Sequence, residues 1–320
     1  MILKFKIPLL LYITMILGCE PFFVSDGDIS SPQYSTWICT INSDGTELHY
    51  LYEGNGDVRF NSDGSKIIIG LRNYGFKIID AEIGTVLVDI DTLSTLSHYT
   101  LSNDNAICFS ASSDLTSSKD LFIYEPITSL ITNITMTDSI HENAPSYNND
   151  CNKVVYILFD SLGSSAVLKV YDFTSQQFLT LATENLGFRY PQFSIDESQI
   201  IFSNYHSYNL YDFDEQINIE TFEGNTENYP ASIYEDKMTF SASGQILNMN
   251  IDGSELMNLG DGFHPQFSPD GSKIAYGAND GLYITNSGGT DKQKLTDEFG
   301  DYPHFSPDGS KIVFLMDKYE

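Results

Sequence analysis

A short pattern recurs seven times along the chain: an apolar residue, an aspartate three positions later, and then a short apolar run. The two clearest copies are Phe267–Tyr276 and Phe305–Phe314, which share the sequence Phe-Ser-Pro-Asp-Gly-Ser-Lys-Ile. A repeat of about 40 residues with several short strands in each unit predicts a β-propeller. The seven leading residues are Phe60, Leu101, Tyr147, Phe193, Ile233, Phe267 and Phe305.

The aspartate of each copy falls where a tight turn is expected. In Ser-Pro-Asp-Gly the proline presets φ, the aspartate side chain binds the backbone, and the glycine supplies a positive φ. Because each aspartate belongs to a different repeat, the pattern favours a turn role over a shared metal cluster. These aspartates are Asp63, Asp104, Asp150, Asp196, Asp236, Asp270 and Asp308.

The number of strands at the two ends of the chain predicts how the repeats are completed. Only 15 residues follow Phe305, enough for two strands. Near the start, Trp37–Ile41 and Leu48–Tyr52 flank an Asp-Gly turn, which predicts a hairpin. Residues 34–320 number 287, or seven units of 41. We therefore predict an all-β, seven-bladed propeller of four-stranded antiparallel blades, closed by N- and C-terminal strands that share the last blade.

The N-terminal segment predicts export. Lys4 and Lys6 precede an apolar stretch, residues 7–17, that is too short to span a membrane as a helix. The segment resembles a bacterial lipoprotein signal, which is cut before a cysteine that then carries the lipid; here that residue is Cys19. An ordinary signal peptide with an incidental cysteine is the alternative. The predicted organisation is a signal at 1–18, a lipidated cysteine and flexible tether at 19–33, and a propeller at 34–320.

The charge limits the partners. The chain has a formal net charge of −28, and without residues 1–18 it has 14 basic and 44 acidic residues, a charge of −30. Nucleic acid is excluded as a partner because phosphate binding needs clustered Lys and Arg. The acidic surface either keeps the protein soluble or binds a basic partner. Cys39, Cys108 and Cys151 show no disulfide or metal spacing and are predicted to be unpaired.

The repeats resemble those of the TolB-type propeller family, whose consensus is Pro-x-Phe-Ser-Pro-Asp-Gly-x-x-Ile followed by an Asn-x-Asp-Gly-Thr hairpin. The resemblance spans residues 34–320; it is strongest in the last two repeats and weakest at Leu101 and Ile233. It implies a propeller fold. The α/β domain of TolB has no counterpart in this sequence, so the role of TolB in an envelope complex is not implied.

Residues just before the repeat anchors are expected to surround the central channel. Five repeats have a proline there, and the position next to the anchor is polar in most repeats. We predict a ligand site at the channel mouth, with Arg59, Gln192, Gln266, His304, Arg189 and Asp301 as candidates. The full ring is Arg59, Thr100, Ser146, Gln192, Ala231, Gln266 and His304.

A metal site is the alternative use of this region. Some TolB-like propellers that cleave acidic oligosaccharides by β-elimination have a histidine-rich site, so the resemblance implies His141, His264 and His304 as candidate ligands. No spacing in the sequence brings the three imidazoles together, and a hydrogen-bonded structural histidine is the simpler interpretation of each. An acidic substrate would also have to approach a strongly acidic protein.

Two functions from different classes follow. The leading hypothesis is a non-catalytic protein- or glycan-binding scaffold of the cell envelope, without a cofactor. It would be periplasmic or at the cell surface and would contact the bilayer through Cys19 alone. The alternative is a metal-dependent polysaccharide lyase or hydrolase with a divalent metal at the channel. A third possibility is that the propeller is the interaction part of a larger envelope assembly.

Overall fold

The computed structural model describes residues 34–319 apart from short gaps. The predicted signal and tether, including Cys19, therefore lie outside the described residues. The described part is all strand and turn, and it contains no helix long and apolar enough to cross a membrane. The gaps are 72–74, 92–97, 113–117, 138–139, 161–165, 185–187, 205, 215–217, 225 and 227–228.

Five separate four-stranded antiparallel sheets follow one another along the described chain. Sheet 1 contains β3 (Asp57–Phe60), β4 (Lys66–Leu71), β5 (Gly75–Asp80) and β6 (Val86–Ile90). Sheet 2 contains β7 (Tyr99–Leu101), β8 (Ile107–Ser112), β9 (Lys119–Glu125) and β10 (Leu130–Asn133). Sheet 3 contains β11 (Ile140–Tyr147), β12 (Lys153–Asp160), β13 (Ala166–Asp172) and β14 (Gln177–Glu184). Sheet 4 contains β15 (Arg189–Phe193), β16 (Gln199–Ser203), β17 (Ser207–Asp212) and β18 (Asn218–Glu223). Sheet 5 contains β19 (Ser232–Tyr234), β20 (Lys237–Ala242), β21 (Gln245–Asn250) and β22 (Met257–Asp261).

The remaining strands form one eight-stranded sheet. Its first half contains β23 (Phe263–Phe267), β24 (Lys273–Ala278), β25 (Gly281–Asn286) and β26 (Gln293–Lys294). Its second half contains β27 (Gly300–Phe305), β28 (Lys311–Tyr319), β1 (Tyr34–Asn42) and β2 (His49–Glu53). One residue pair, Ala278 with Gly300, joins the halves. The strand pairing thus differs from seven separate blades, and glycine explains the difference: a Cβ on Gly277 would lie 2.6 Å from the Gly300 carbonyl oxygen.

The two ends of the described chain pair with each other. Strand β1 is antiparallel to β28 from Tyr34 opposite Tyr319 to Asn42 opposite Lys311, and β2 continues on the other side of β1. Cys39 of β1 and Phe314 of β28 are paired and fully buried. They belong to one apolar cluster with Ala275 and Leu282 of the neighbouring unit.

In four of the seven repeats, the aspartate stabilises the turn between the first two strands by accepting a backbone N–H. The Oδ1 atom of Asp270 accepts the backbone N–H of Ser272 at 3.0 Å and the hydroxyl of Ser268 at 2.6 Å. These hydrogen bonds, chiefly the one from Ser268, lower the pKa of Asp270 to about 2. Asp63, Asp196 and Asp308 accept the equivalent backbone bond. Cys39, Cys108 and Cys151 are free thiols.

Phe314 tests the packing that joins the two ends of the chain. Phe314→Ala removes a fully buried ring and leaves a cavity, so we expect the free energy of unfolding to fall by about 3–5 kcal/mol. The matched control is Phe178→Ala in β14, where the side chain is 47% exposed; we expect a change within about 0.5 kcal/mol. Urea unfolding of both variants measures the difference. Equal losses would show that β28 does not share a core with β1.

Candidate functional site

A cavity of about 700 Å³ lies where the first strands of the five four-stranded sheets meet those of the two halves of the eight-stranded sheet. Those strands are β3, β7, β11, β15, β19, β23 and β27, and each contributes residues to the wall or has lining residues directly before it. All seven residues of the ring predicted from the sequence line it: Arg59, Thr100, Ser146, Gln192, Ala231, Gln266 and His304. Pro145, Pro191, Pro230, Pro265 and Pro303 line it as well.

A β-bulge in four of the first strands shapes the cavity wall. In sheet 3, Ala144 and Pro145 together lie opposite the single residue Tyr156, so the first strand has one extra residue there. The same arrangement places Tyr190 and Pro191 opposite Phe202, His264 and Pro265 opposite Tyr276, and Tyr302 and Pro303 opposite Phe314. All four opposing aromatic rings are buried. The bulge therefore combines a proline at the cavity with an aromatic ring in the core.

The residue before the proline is strained in every one of these bulges. Ala144, Tyr190, His264 and Tyr302 have φ values between 48° and 51°. Residues with a Cβ rarely adopt this left-handed region, at a cost of roughly 1–3 kcal/mol each. Such strain tends to collect at functional sites. All four strained residues line the cavity.

Aromatic side chains form two groups on the cavity wall. In one group, the His264 ring stacks on Tyr302 with centroids 4.0 Å apart, and Tyr229 meets the same imidazole edge-on. In the other, His98 contacts Tyr190 edge-on at 5.3 Å. The second contact joins sheets 2 and 4. The intervening unit has a small residue, Ala144, at the bulge.

The charges on the wall differ from those of the whole protein. Arg59 and Lys119 supply two cations, and Asp57, 3.5 Å from Arg59, is the one acidic residue among the lining residues that the structure describes. Partial burial lowers the pKa of Lys119. A chain with 44 acidic and 16 basic residues thus has a cavity that is not acidic.

One amide and three imidazoles on the wall have hydrogen-bond partners. Gln192 donates from Nε2 to the carbonyl of Ala231 at 2.8 Å. Burial lowers the pKa of His304 to about 4 and also lowers the pKa of His98. His264 Nδ1 is hydrogen-bonded to Asp301.

Three of the predicted residues are not among the cavity-lining residues that the structure describes. Arg189 is in β15 at the bulge, and Asp301 lies behind His264, whose ring it contacts. His141 accepts the backbone N–H of Lys119 at 3.2 Å. In the described part of the chain, no three His, Cys, Asp or Glu side chains are grouped so as to hold a metal ion. His141, His264 and His304 therefore do not form the predicted metal cluster.

Several cavity residues were not found by sequence reasoning. Tyr190, Tyr229 and Tyr302 each come directly before a repeat proline, and this shared position is the signal that would have found them. Lys119 is in a third strand, β9, so an argument restricted to first strands cannot find it. His98 comes directly before β7, and no motif marks it.

Comparisons with known proteins identify the fold. No protein-family model matches the sequence, and neither does any curated protein. Among solved structures, an oligogalacturonate lyase from Vibrio parahaemolyticus matches with a TM-score of 0.63 and 15% identity, over 92% of this chain and 98% of the other. A putative TolB from Agrobacterium tumefaciens matches with a TM-score of 0.53 and 14% identity, over 90% and 100%. An oligogalacturonate lyase in complex with manganese matches with a TM-score of 0.60 and 14% identity, over 90% and 98%.

The chain has a TolB-like β-propeller fold. Both TolB and a lyase are among the similar structures, and identities of 13–15% between such structures and this chain show the fold alone. The TolB-like propeller is therefore common to a protein named as a lyase and to one that is not, so function has to be argued from the residues of this cavity.

A buried carboxyl pair lies close to the cavity wall. Glu142 of β11 is fully buried, and its Oε1 accepts the hydroxyl of Thr137 at 2.8 Å. The same hydroxyl lies 3.2 Å from Asp120, the neighbour of Lys119 in β9. Glu142 Oε2 has no hydrogen-bond partner among the described residues. Burial raises the pKa of Glu142 to about 7.

Glu142 makes the stability of the TolB-like propeller depend on pH. Between about pH 4.5 and 7 the folded protein keeps a proton that the unfolded chain loses, so the free energy of unfolding falls as the pH rises. We expect a loss of up to about 3 kcal/mol across this window and no further loss from this group above it. In Glu142→Gln this part of the pH dependence is absent, whereas the exposed control Glu82→Gln keeps it. Urea unfolding at several pH values tests this, and parallel curves for wild type and Glu142→Gln would contradict it.

Proposed function

We propose that this TolB-like propeller is a non-catalytic binding module of the cell envelope that holds a glycan in the cavity between its first strands. The observation that carries the proposal is the composition of the cavity wall. Tyrosine rings lie beside amides, hydroxyls, imidazoles and two cations, all on or next to β-strands. Aromatic rings bind the apolar face of a sugar, and the polar groups bind its hydroxyls.

The cavity favours a glycan over a folded protein as the ligand. Its volume of about 700 Å³ lies within the range of small-molecule sites, about 300–1,000 Å³. A stable protein interface would need about 800 Å² on each partner, most of it outside this concave wall. Contacts of Tyr190 with His98 and of His264 with Tyr302 hold these rings in position, which lowers the entropy lost on binding.

We propose further that the propeller has seven blades and is closed by its two ends. Counting each half of the eight-stranded sheet as a blade gives seven four-stranded units, as the repeats predict. Val58 and Phe60 of the first unit pack in one apolar cluster with Val313, Leu315 and Ile38 of the last. This contact supports a closed ring. The contribution of all seven first strands to one cavity also supports it.

Binding of a glycan should depend on the polar ring. We expect isothermal titration calorimetry with cellotriose, xylotriose, maltotriose, chitotriose and trigalacturonate to detect at least one ligand. Gln266→Ala should weaken its binding about five- to tenfold through a lost hydrogen bond. Gln177→Ala, on the exposed strand β14, is the matched control and should bind normally.

The same sugars test whether the module is non-catalytic. Chromatography after long incubation with Mn²⁺ or Ca²⁺ should return them intact. Release of unsaturated or shortened products would replace the binding function by a lyase or hydrolase. Absence of binding to every sugar would contradict the glycan proposal.

The N-terminal segment supports display on a membrane. A basic start, a short apolar run and Cys19 resemble a lipoprotein signal, and several acyl chains on one cysteine would give stable anchoring. We therefore propose that residues 19–33 tether the propeller at a periplasmic or external membrane surface. Contact with the bilayer is then confined to the anchor, because the acidic propeller is repelled by anionic lipid.

Cys19 tests this anchoring. When the full chain is expressed in a bacterium, the wild type should enter the membrane fraction and incorporate labelled palmitate, and Cys19→Ser should do neither. Cys151→Ser is the control and should behave as wild type, because that thiol lies within the folded propeller. Label on Cys19→Ser, or an unlabelled soluble wild type, would exclude lipidation at Cys19.

A further inference from the structure

Three imidazoles on the cavity wall are held in the same way. His98 Nδ1 lies 3.0 Å from Asn143 Oδ1, and His304 Nδ1 lies 3.1 Å from the carbonyl oxygen of Phe305. His264 Nδ1 is hydrogen-bonded to the carboxylate of Asp301. In each pair the partner atom is an oxygen that accepts hydrogen bonds, so the proton of the bond is on Nδ1.

The atom of Asn143 that faces His98 is its side-chain oxygen. Its Oδ1 also accepts the backbone N–H of Ala144 at 2.9 Å, which identifies that atom as oxygen rather than nitrogen. Asp301 Oδ1 likewise accepts the backbone N–H of Tyr302 at 2.7 Å. The backbone hydrogen bonds from Ala144 and Tyr302 hold the two acceptor oxygens in place. Those oxygens in turn orient the imidazoles of His98 and His264.

A neutral imidazole with a proton on Nδ1 has a lone pair on Nε2. Burial lowers the pKa of both His98 and His304, so the two rings are neutral at pH 7. The side chain of His264 is 10% exposed, and its Nε2 has no hydrogen-bond partner among the described residues. Nε2 of His264 is covered in this structure, so a donor reaches it only after a neighbouring ring, Tyr229 or Tyr302, shifts. A buried polar atom without a partner is costly, and a ligand that then donates to Nε2 removes that cost.

We propose that His98, His264 and His304 are specificity-determining residues whose Nε2 atoms accept hydrogen bonds from the hydroxyls of the bound sugar. Asp301 and Asn143 are positioning residues that hold the tautomer. This inference rests on the proposed glycan function and adds its selectivity. The site binds a ligand rich in hydrogen-bond donors. It disfavours a ligand whose groups at these positions can only accept hydrogen bonds, such as sulfate esters. The three residues come from sheet 2 and from the two halves of the eight-stranded sheet, so they contact different hydroxyls of one ligand.

The tautomers can be measured directly on the propeller. Long-range ¹H–¹⁵N NMR correlations at pH 7 should assign a protonated Nδ1 and an unprotonated Nε2 to each of the three histidines. A protonated Nε2 at His264 and His304 would overturn the proposal. The exposed His49, which lies outside the cavity, is the internal control for assigning the signals.

A pair of substitutions at His304 separates the two ring nitrogens. His304→Gln keeps a polar atom near the position of Nε2 and should bind the best trisaccharide of the neutral series within about twofold of wild type. His304→Asn keeps the atom near Nδ1 and loses the acceptor, so binding should weaken about five- to tenfold. His264→Asn should weaken it similarly, and asparagine suits the left-handed backbone at that position. His49→Asn is the control and should bind as wild type.

The outcomes distinguish this inference from the function on which it rests. If wild type binds the sugar and neither Asn variant, each folded by circular dichroism, changes the affinity, the acceptor role is wrong and the glycan function stands. If binding disappears on addition of EDTA, the imidazoles serve a metal ion and the acceptor role is also wrong. If wild type binds trigalacturonate but no cello-, xylo-, malto- or chitotriose, the acceptor role is wrong and the glycan function stands. If none of the five sugars binds to wild type, both fail.

Discussion

The bulge that contains the proline in four of the five proline-bearing repeats is the constraint on which the cavity depends. Two residues of a first strand lie opposite one buried aromatic ring of the second, as Tyr302 and Pro303 lie opposite Phe314. Proline has no N–H to pair, so it fits where the ladder is interrupted, and the residue before it takes a left-handed φ. The aromatic ring in the core offsets the cost of that strain. The same device therefore holds a unit together and directs one residue toward the cavity.

This division of roles explains how an acidic protein has a cavity that is not acidic. The acidic residues of the repeats lie in turns such as that of Asp270, where their charge is used in hydrogen bonds to the backbone. The cavity wall comes from the first strands, and there Asp57 is offset by Arg59. Burial keeps His98 and His304 neutral. Long-range repulsion of anions by the whole protein thus coexists with a cavity wall that contains neutral donors and acceptors.

The sequence predicts the architecture and the ring next to the anchors because both follow from the repeat. Each anchor has a fixed place in its strand. The repeat alone therefore predicts that Gln192, Gln266 and His304, which lie next to anchors, line the cavity. The bulge is different, because it depends on an aromatic residue in the partner strand. The bulge and its left-handed φ are for that reason not predicted, although the place of Tyr190 directly before a repeat proline is a signal in the sequence. Lys119 reaches the cavity from a third strand, outside the first strands that contain the repeat anchors.

The metal hypothesis and the acceptor hypothesis differ in what the Nδ1 bonds are used for. In both hypotheses, Nδ1–H donates to an oxygen, so the lone pair on Nε2 is available to a ligand. Histidines that bind metal ions commonly donate from their other ring nitrogen in this way. A metal ion also needs its ligands to converge on one point, and the described His, Cys, Asp and Glu side chains do not do so in threes. One residue per unit, spread around a wall, instead suits a ligand with several donors spread around a ring. Because the turns and the core aromatics stabilise the units, the side chain next to the anchor can differ between repeats, as it does from Arg59 to His304.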